Sequence, residues 1–277
     1  MSGFFHVMAL PFLACVILTG IHAYLGLHVI ERQVIFVDLA LAQIAALGAS
    51  FALILGFGME NALSYWLSLG FTLAGAVIFS LTRFKKKRIP QEAIIGITYA
   101  VSAALLILVL SRSGEGDEHI KQAFVGNILL VRAPEVLKLL GIYSLVGIFH
   151  YIFRDKFFPI SQNSQEAYRR GIRVRLWDFL FYASFGFVVT SSVRIAGVLL
   201  VFSFLVAPSV AAVLFSEEIK IRLVLGWAVG LAASVIGMVV SYYLDFPTGA
   251  SVVCAFGFIL ILLSLLKKCA DFLGSHR

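Results

Sequence analysis

Long apolar runs separated by short polar breaks are the feature that most restricts how this chain folds. Runs of about 20 apolar residues recur along the sequence, and a helix of that length crosses the hydrocarbon core of a membrane. The chain has 61% hydrophobic and 13% charged residues, whereas a soluble domain carries roughly 25% charged residues. Because too little polar surface remains to meet water, the sequence predicts an all-α, polytopic integral membrane helix bundle.

The apolar runs predict eight or nine transmembrane helices in a single membrane domain that covers residues 1–277. The candidate spans lie near 6–29, 34–57, 61–82, 89–110, 135–153, 177–192, 195–215, 222–243 and 248–266. The run 177–192 is the shortest, and eight spans result if one helix is broken or peripheral. The apolar segment Phe124–Val131 is too short to cross, which favours a half-helix or a re-entrant piece.

The basic residues are distributed unevenly, and this predicts how the chain is oriented. With the N-terminus outside, 17 of the 22 lysines and arginines fall on the cytoplasmic side, including Arg83, the cluster 85–88 and six residues in 154–175. Cytoplasmic loops are enriched in such residues. We therefore expect nine spans with the C-terminus in the cytoplasm. The same distribution accounts for the net charge of +7 without a nucleic-acid partner.

The longest cytoplasmic connection, 154–176, is expected to contain a short amphipathic helix near 161–172. Ser161 or Asn163 can cap its start, Glu166 lies in its first turn, and Gly171 can end it.

Two polar residues lie inside the second span. Asp38 is about one turn from the helix start and Gln43 is deeper. A carboxylate is costly in hydrocarbon, so Asp38 either faces a translocation path or caps the helix end at the interface, where acids are favoured. Gln43 is interpreted as a pore-facing or interhelical group.

Pro208 lies in the middle of the seventh span. A proline there frees the carbonyl four residues back, that of Phe204, and Ser203 or Ser209 could satisfy it. Broken helices are places where transporters expose backbone oxygens to a substrate. The alternative is a plain structural kink.

The sequence carries no motif of a known catalytic chemistry. It lacks the phosphate-binding loop Gly-x-x-x-x-Gly-Lys-Ser/Thr, the Gly-x-Ser-x-Gly elbow and the His-Glu-x-x-His helix. We therefore expect a transport subunit rather than an enzyme. Two other classes stay open: a stand-alone secondary transporter driven by an ion gradient, and a membrane scaffold or sensor without transport.

Three stretches of the chain resemble the permease subunits of bacterial metal-ion ABC importers of the zinc, manganese and iron type. The first is 31–48, similar to the family's pattern of arginine, phenylalanine, Asp-Ala-Leu-x-His-Ala and glycine. The second is 163–171, where the family tends to show an acid, an alanine and a glycine at four-residue spacing. The third, 194–212, is similar to the family's Val-Gly-x-Leu-Leu-Val pattern and its later Pro-Ala. The turn Asp245–Gly249 also resembles a late Asp-x-Pro-x-Gly turn.

The matching residues and the departures can be named one by one. The matches are Arg32, Phe36, Asp38, Leu41 and Gly48, then Ala167 and Gly171, then Gly197, Leu199, Leu200, Val201, Leu205, Pro208 and Ala212. Gln43 stands where the family often has histidine, and Asn163 stands where it tends to have an acid. These departures imply a difference in the metal or its affinity, and a slight change in docking to the ATPase.

The resemblance implies the membrane-spanning subunit of an ATP-driven importer of divalent transition-metal ions in the bacterial inner membrane. It implies three partners: a cytoplasmic ATP-binding-cassette ATPase, an extracytoplasmic metal-binding protein and a second permease copy, expected to form a homodimer. The chain itself is expected to bind no cofactor.

The candidate translocation path consists of Asp38, Gln43, Ser203 and Pro208. The candidate ATPase-coupling helix near 161–172 includes Asn163, Glu166, Ala167, Arg170 and Gly171. The choice among zinc, manganese and iron is left open because their ligand preferences overlap.

Overall fold

A computed structural model describes residues 2–58, 61–83, 89–111 and 126–274, and within them every regular element is helical. The cluster 85–88 and the acidic loop 114–119 lie outside these ranges. A turn of 3-10 helix covers Ile128–Leu130. The α-helices are α1 Ser2–Arg32, α2 Val37–Ile54, α3 Ala62–Leu81, α4 Gln91–Leu110, α5 Ala133–Ile152, α6 Arg154–Gln162, α7 Ser164–Arg169, α8 Val174–Phe215, α9 Ile219–Leu244 and α10 Thr248–Gly274.

Eight of these helices, α1 to α5 and α8 to α10, are long and apolar enough to cross a membrane. The predicted all-α membrane bundle is therefore confirmed. Helix α8 has 42 residues, about twice the number that one crossing of the hydrocarbon core needs. Both spans predicted at 177–192 and 195–215 fall within this helix.

Helix α8 is interrupted at Gly197. The backbone of Gly197 has φ 75° and ψ 161°, a conformation that is essentially restricted to glycine. The sequence predicted a boundary between two spans at 192–195. In the structure the helix is broken instead at a single non-helical residue, Gly197, two positions beyond that boundary. No loop separates the two runs, because glycine alone can break the helix without a connecting segment. About 20 helical residues remain on each side, enough for a span.

A short segment preceding α5 packs against this interruption. The backbone amide of Asn127 donates to the carbonyl of Ile195 at 3.2 Å. A Cβ atom on Gly126 would lie 2.3 Å from backbone atoms of Ala196 and Gly197. The half-helix expected at Phe124–Val131 is therefore only the single 3-10 turn Ile128–Leu130, and its first two residues lie outside the described ranges.

The chain divides into two compact units, each built from separated stretches. The first unit comprises Met1–Ile30, Val125–Leu140 and Ile195–Arg277, and the second comprises Glu31–Phe124 and Gly141–Arg194. The organisation as a single membrane domain stays a prediction.

Close helix packing through glycine holds each unit together. In the first unit, a Cβ on Gly26 of α1 would lie 2.1 Å from the carbonyl oxygen of Leu205 in α8. In the second unit, a Cβ on Gly48 of α2 would lie 2.7 Å from the carbonyl oxygen of Leu67 in α3. Small residues at such crossings allow backbones to approach closely, which is how helices associate without a hydrophobic driving force.

Candidate functional site

Helix α2, in the second unit, buries two polar side chains. Asp38 is 1% exposed and Gln43 is 2% exposed. Both carboxylate oxygens of Asp38 and the side-chain oxygen of Gln43 are buried, with no hydrogen-bond partner among the residues that the structure describes. A buried polar group without a partner costs free energy, most of all when it is charged. Burying these two side chains therefore lowers the stability of the folded chain.

The arrangement of Asp38 does not match interfacial capping. Helix α2 begins after Phe36, whose backbone amide donates to the Glu92 carboxylate at 2.9 Å and whose own side chain supplies no cap. Asp38 receives none of the free amides at this end. Among the described residues, Asp38 therefore makes no capping hydrogen bond, and its place on a translocation path stays a prediction.

Hydroxyl groups are concentrated on α3, which packs against α2. Ser64, Ser68 and Thr72 are buried at successive four-residue steps, so they share one face. The hydroxyl of Thr72 lies 3.2 Å from that of Thr190 on α8, and Tyr143 on α5 hydrogen-bonds to Ser192. The interior of the second unit therefore contains a polar layer as well as Asp38 and Gln43.

Ser203 and Pro208 lie in the first unit, on α8. The hydroxyl of Ser203 donates to the carbonyl of Leu199 at 2.8 Å, and that of Ser209 donates to the carbonyl of Ala23 at 3.2 Å. Neither bond goes to Phe204, so the expected relief of its carbonyl is wrong for both serines. Helix α8 also continues through Pro208, because one proline removes only one helical hydrogen bond. The broken backbone is at Gly197.

The structure distributes the four translocation candidates over two helices. Asp38 and Gln43 are both on α2, and Ser203 and Pro208 are both on α8. Each pair is five positions apart, and helix neighbours on one face are three or four apart, so neither pair shares a face. Within the described ranges, no three His, Cys, Asp or Glu side chains lie close enough together to hold a metal ion.

The predicted cytoplasmic helix near 161–172 is two short helices, α6 and α7, rather than one. Asn163 separates them with an extended backbone, φ −151° and ψ 91°, and its side chain accepts a hydrogen bond from the amide of Glu166 at 3.1 Å. An asparagine that caps a new helix start in this way interrupts the preceding helix. The capping role of Asn163 is confirmed, and the single-helix bounds are corrected.

Gly171 ends α7, as predicted. It has φ +74°, its amide donates to the carbonyl of Tyr168 at 3.1 Å, and the amide of Ile172 donates to that of Ala167 at 3.1 Å. These two bonds form a Schellman motif, in which a left-handed residue closes the helix. A Cβ at Gly171 would meet open space. Glycine is therefore needed there for its conformation and not for room.

The residues between the caps of α7 divide into a buried and an exposed set. Ala167 is fully buried and packs in an apolar cluster with Ile160 and Val174. Glu166 and Arg170 are exposed and form an ion pair at 3.1 Å. The four-residue spacing of Asn163, Ala167 and Gly171 thus corresponds to a cap, an anchor and a terminator, and leaves Glu166 and Arg170 facing outward.

A buried charged cluster in the second unit joins residues that the sequence did not group. Asp178, at the start of α8, accepts from Arg32 Nη1 at 2.7 Å and from Arg83 Nη1 at 2.7 Å at each carboxylate oxygen. Arg32 Nε also donates to Ser161 of α6 at 2.8 Å. The only sequence signal was that two basic residues and one acidic residue lie at run ends on the same predicted side.

The opposite charges of this cluster lie in direct contact and are almost fully buried. Arg32 and Asp178 side chains are 0% exposed, and Arg83 is 15% exposed. The Arg32 guanidinium lies over the Phe181 ring, 3.9 Å from its centroid. Burial lowers the pKa of Arg83, but the charge and hydrogen bonds of Asp178, together with the nearby Tyr182 and Tyr168, outweigh it, and this pKa lies above its ordinary value.

Comparison with known proteins decides the family. The model of the ABC 3 transport family matches residues 5–267. The chain belongs to the ABC 3 transport family. As a member of that family it is a multi-pass membrane protein and an ABC-transporter permease, and the resemblance to metal-ion permeases is confirmed.

Relatives of this ABC 3 family member are similar over much of their length. It is 23% identical over 249 residues to the manganese import system permease protein ScaB of Streptococcus gordonii, covering 90% of this chain and 87% of ScaB. It is 23% identical over 197 residues to the chelated iron transport system membrane protein YfeD of Yersinia pestis, covering 69% and 66%.

A solved structure shares the fold. The structure described as PsaBC from Streptococcus pneumoniae in complex with Fab superposes with a TM-score of 0.77 at 20% identity, covering 95% of this ABC 3 family member and 94% of that chain. At this level of identity, the likeness shows the fold alone.

Proposed function

We propose that this chain is the membrane-spanning subunit of an ATP-driven importer of divalent transition-metal ions, namely zinc, manganese or iron. The observation that carries the proposal is the family match over residues 5–267. Support for the cargo comes from the names of the relatives, which are manganese and iron transport proteins.

In this proposal, Asp38 and Gln43 of α2 belong to the ion's path, and Ser203 and Pro208 of α8 are separate candidates for it. A divalent ion crossing a membrane needs oxygen or nitrogen partners in place of its water. The support is that the oxygens of Asp38 and Gln43 are buried without protein partners among the described residues. Few strong ligands favour passage over retention, so the tight site is assigned to an extracytoplasmic binding protein.

The α6–α7 pair is proposed as the docking element for a cytoplasmic ATPase, through Asn163, Glu166, Ala167, Arg170 and Gly171. A second copy of the chain completes the permease, with the N-terminus outside and the C-terminus in the cytoplasm. Support for docking is that α7 presents Glu166 and Arg170 outward from a buried anchor. Support for the orientation is the distribution of basic residues.

The first experiment is purification of the tagged chain from native membranes in a gentle detergent, with mass spectrometry of co-purifying proteins. We expect an ATPase with a phosphate-binding loop, in about one copy per permease. The variant Arg170→Glu reverses an exposed charge at the C-cap of α7 and should lose most of the ATPase. Lys268→Glu, an exposed charge reversal on α10, is the matched control and should retain it.

Uptake measurements complete the test. Cells that contain the wild-type chain should accumulate Mn²⁺, Zn²⁺ or Fe²⁺, and depletion of ATP should abolish this uptake. Uptake that continues without ATP, from a chain recovered alone, would support the secondary transporter instead. No uptake under any condition would support a scaffold or sensor.

A further inference from the structure

The buried cluster of Arg32, Arg83, Asp178 and Ser161 connects four separate parts of the second unit. Arg32 ends α1, Arg83 follows α3, Asp178 lies in the first turns of α8, and Ser161 lies in α6. The residues it joins are up to 146 positions apart in sequence. Its position therefore links the short α6–α7 pair to three long apolar helices.

Asp178 occupies the centre of this connection. One of its oxygens is shared by both arginines, and the other accepts from Arg83 alone. Arg32 uses two different nitrogens, Nε toward Ser161 and Nη1 toward Asp178. Charge-assisted bonds from a planar guanidinium are strong and fix direction as well as distance. A shift of α6 is thus transmitted to Arg32 and from there to Asp178.

The connection is also rigid on the side of α6. Ser161 is 4% exposed and its hydroxyl donates to the carbonyl of Phe157 while accepting from Arg32. Ser161 lies two residues before Asn163, the cap of α7, and Ile160 packs with the buried Ala167. Residues joined by tight packing and hydrogen bonds move together, because close-packed interiors transmit displacement instead of absorbing it.

We infer that the Arg32–Asp178–Arg83 cluster, through Ser161, is the joint that passes movement of the α6–α7 pair to the membrane helices, with Asp178 as its positioning residue. This inference rests on the proposed function. Asp178 does not touch the ion. It acts by fixing the ends of α1 and α3 and the first turns of α8 relative to α6. Movement of α7 that is driven by nucleotide binding then changes access across the membrane.

The test measures coupling in the complete transporter, purified with its co-purifying ATPase and reconstituted in lipid vesicles with Mn²⁺ as the probe. Two rates are recorded, Mn²⁺ transported and ATP hydrolysed, and their ratio is compared between variants. Asp178→Asn keeps the shape but removes the charge that both arginines share, and should lower ions per ATP about tenfold. Ser161→Ala should lower it about threefold, since the hydrogen bond between Arg32 and α6 is lost while the charges of the cluster remain.

Two further variants sharpen the test. Arg32→Lys keeps the charge but lacks the planar fork, so its ratio should fall between those of Ser161→Ala and Asp178→Asn. Asp271→Asn breaks an exposed ion pair with Lys267 on α10 and is the control, with an unchanged ratio. If Asp178→Asn fails to assemble, Ser161→Ala carries the test.

The outcomes separate the inference from the proposed function. A merely structural cluster would lower transport and ATP hydrolysis in proportion to the assembled complex, leaving ions per ATP unchanged in every variant. That result overturns the inference and leaves the importer intact. A wild-type complex that hydrolyses ATP without moving Mn²⁺, Zn²⁺ or Fe²⁺ contradicts the proposed function, and the inference with it.

Discussion

Two aspartates in the second unit are both buried, and their surroundings differ completely. Asp178 is compensated by Arg32 and Arg83, whereas neither oxygen of Asp38 has a hydrogen-bond partner among the described residues. A buried carboxylate is stabilised by close basic partners and destabilised without them. Asp178 is therefore part of the framework, and Asp38 is the carboxylate that we propose a passing cation meets.

This difference predicts opposite effects of Asp38→Asn on activity and stability. Removing a buried uncompensated charge should leave the unfolding temperature unchanged or raise it, while ion uptake should fall about tenfold, because a carboxylate is a far better cation partner than an amide. Thermal unfolding in detergent and Mn²⁺ uptake measure the two effects. Asp271→Asn, on the surface of α10, is the control. A lower unfolding temperature with a proportionate loss of uptake would contradict the role of Asp38 in the path.

The side chain at position 43 should influence which metal is preferred. Imidazole suits zinc, whereas carboxylate, carbonyl and water oxygens suit manganese. Gln43→His should therefore raise Zn²⁺ uptake relative to Mn²⁺ when both are offered together. Competition uptake with the two ions measures this ratio. An unchanged ratio, with total uptake maintained, would place Gln43 outside the ion's path.

At the scale of the element, α7 is too short to be stable by itself. Helices of fewer than about 12 residues are marginal in water because the first turn is costly to form, and α7 has 6 residues. It is held by the Asn163 cap, the buried Ala167 and the Schellman motif at Gly171. All three positions stabilise the same short helix, so the substitution of any one of them should destabilise the whole of α7.

The caps give a direct prediction for α7. Asn163→Ala should destabilise the helix by about 1 kcal/mol, and Gly171→Ala should cost about 1–2 kcal/mol because alanine resists the left-handed conformation. Hydrogen exchange of residues 164–169 should accelerate in both variants, and less ATPase should co-purify.

The matched control is Gly147→Ala in α5, where a Cβ meets open space and the backbone is helical. This substitution should leave both measurements unchanged. Faster exchange in α7 with full recovery of the ATPase would show that docking does not depend on the order of this helix.

The contrast between Pro208 and Gly197 shows how far the sequence defines the elements. Apolar run length predicted the long helices and their order, since lipid allows few other structures. Of the two alternatives left open at Pro208, the broken helix is absent because α8 continues through this residue, and the loss of one hydrogen bond is tolerated within a packed helix. The break at Gly197 depends on a positive φ, which the residue permits but does not require.

The charged cluster lay beyond sequence reasoning for a related reason. Arg32, Arg83 and Asp178 each lie near the end of an apolar run, where a charge usually meets water or headgroups. Only the folded second unit brings each arginine within 2.7 Å of Asp178, which is 146 positions from Arg32 in the sequence. The local pattern of Asn163, Ala167 and Gly171, by contrast, was interpretable because caps act over a few residues.

At the scale of the whole molecule, the orientation can be tested with a native cysteine. Cys269 is exposed near the end of α10 and should be cytoplasmic. In a background lacking Cys15 and Cys254, a membrane-impermeant maleimide should label Cys269 in inside-out vesicles but not in intact cells, in keeping with the asymmetry of basic residues.

An introduced cysteine provides the opposite control for orientation. Phe246→Cys, in the exposed turn between α9 and α10, should be labelled in intact cells when Cys269 is also replaced. Labelling of Cys269 from outside would reverse the orientation and place the α6–α7 pair on the side away from ATP. The docking proposal would then fail as well.

The construction of α7 has a consequence for how such a protein diversifies. Its shape depends on residues that face inward or shape the backbone, namely Asn163, Ala167 and Gly171, whereas Glu166 and Arg170 contribute little to that shape. If α7 docks an ATPase as proposed, recognition can therefore change without refolding. A gene duplicate could acquire a different ATPase by altering the outward charges alone. Two permeases in one cell could then each bind their own ATPase through a few surface substitutions.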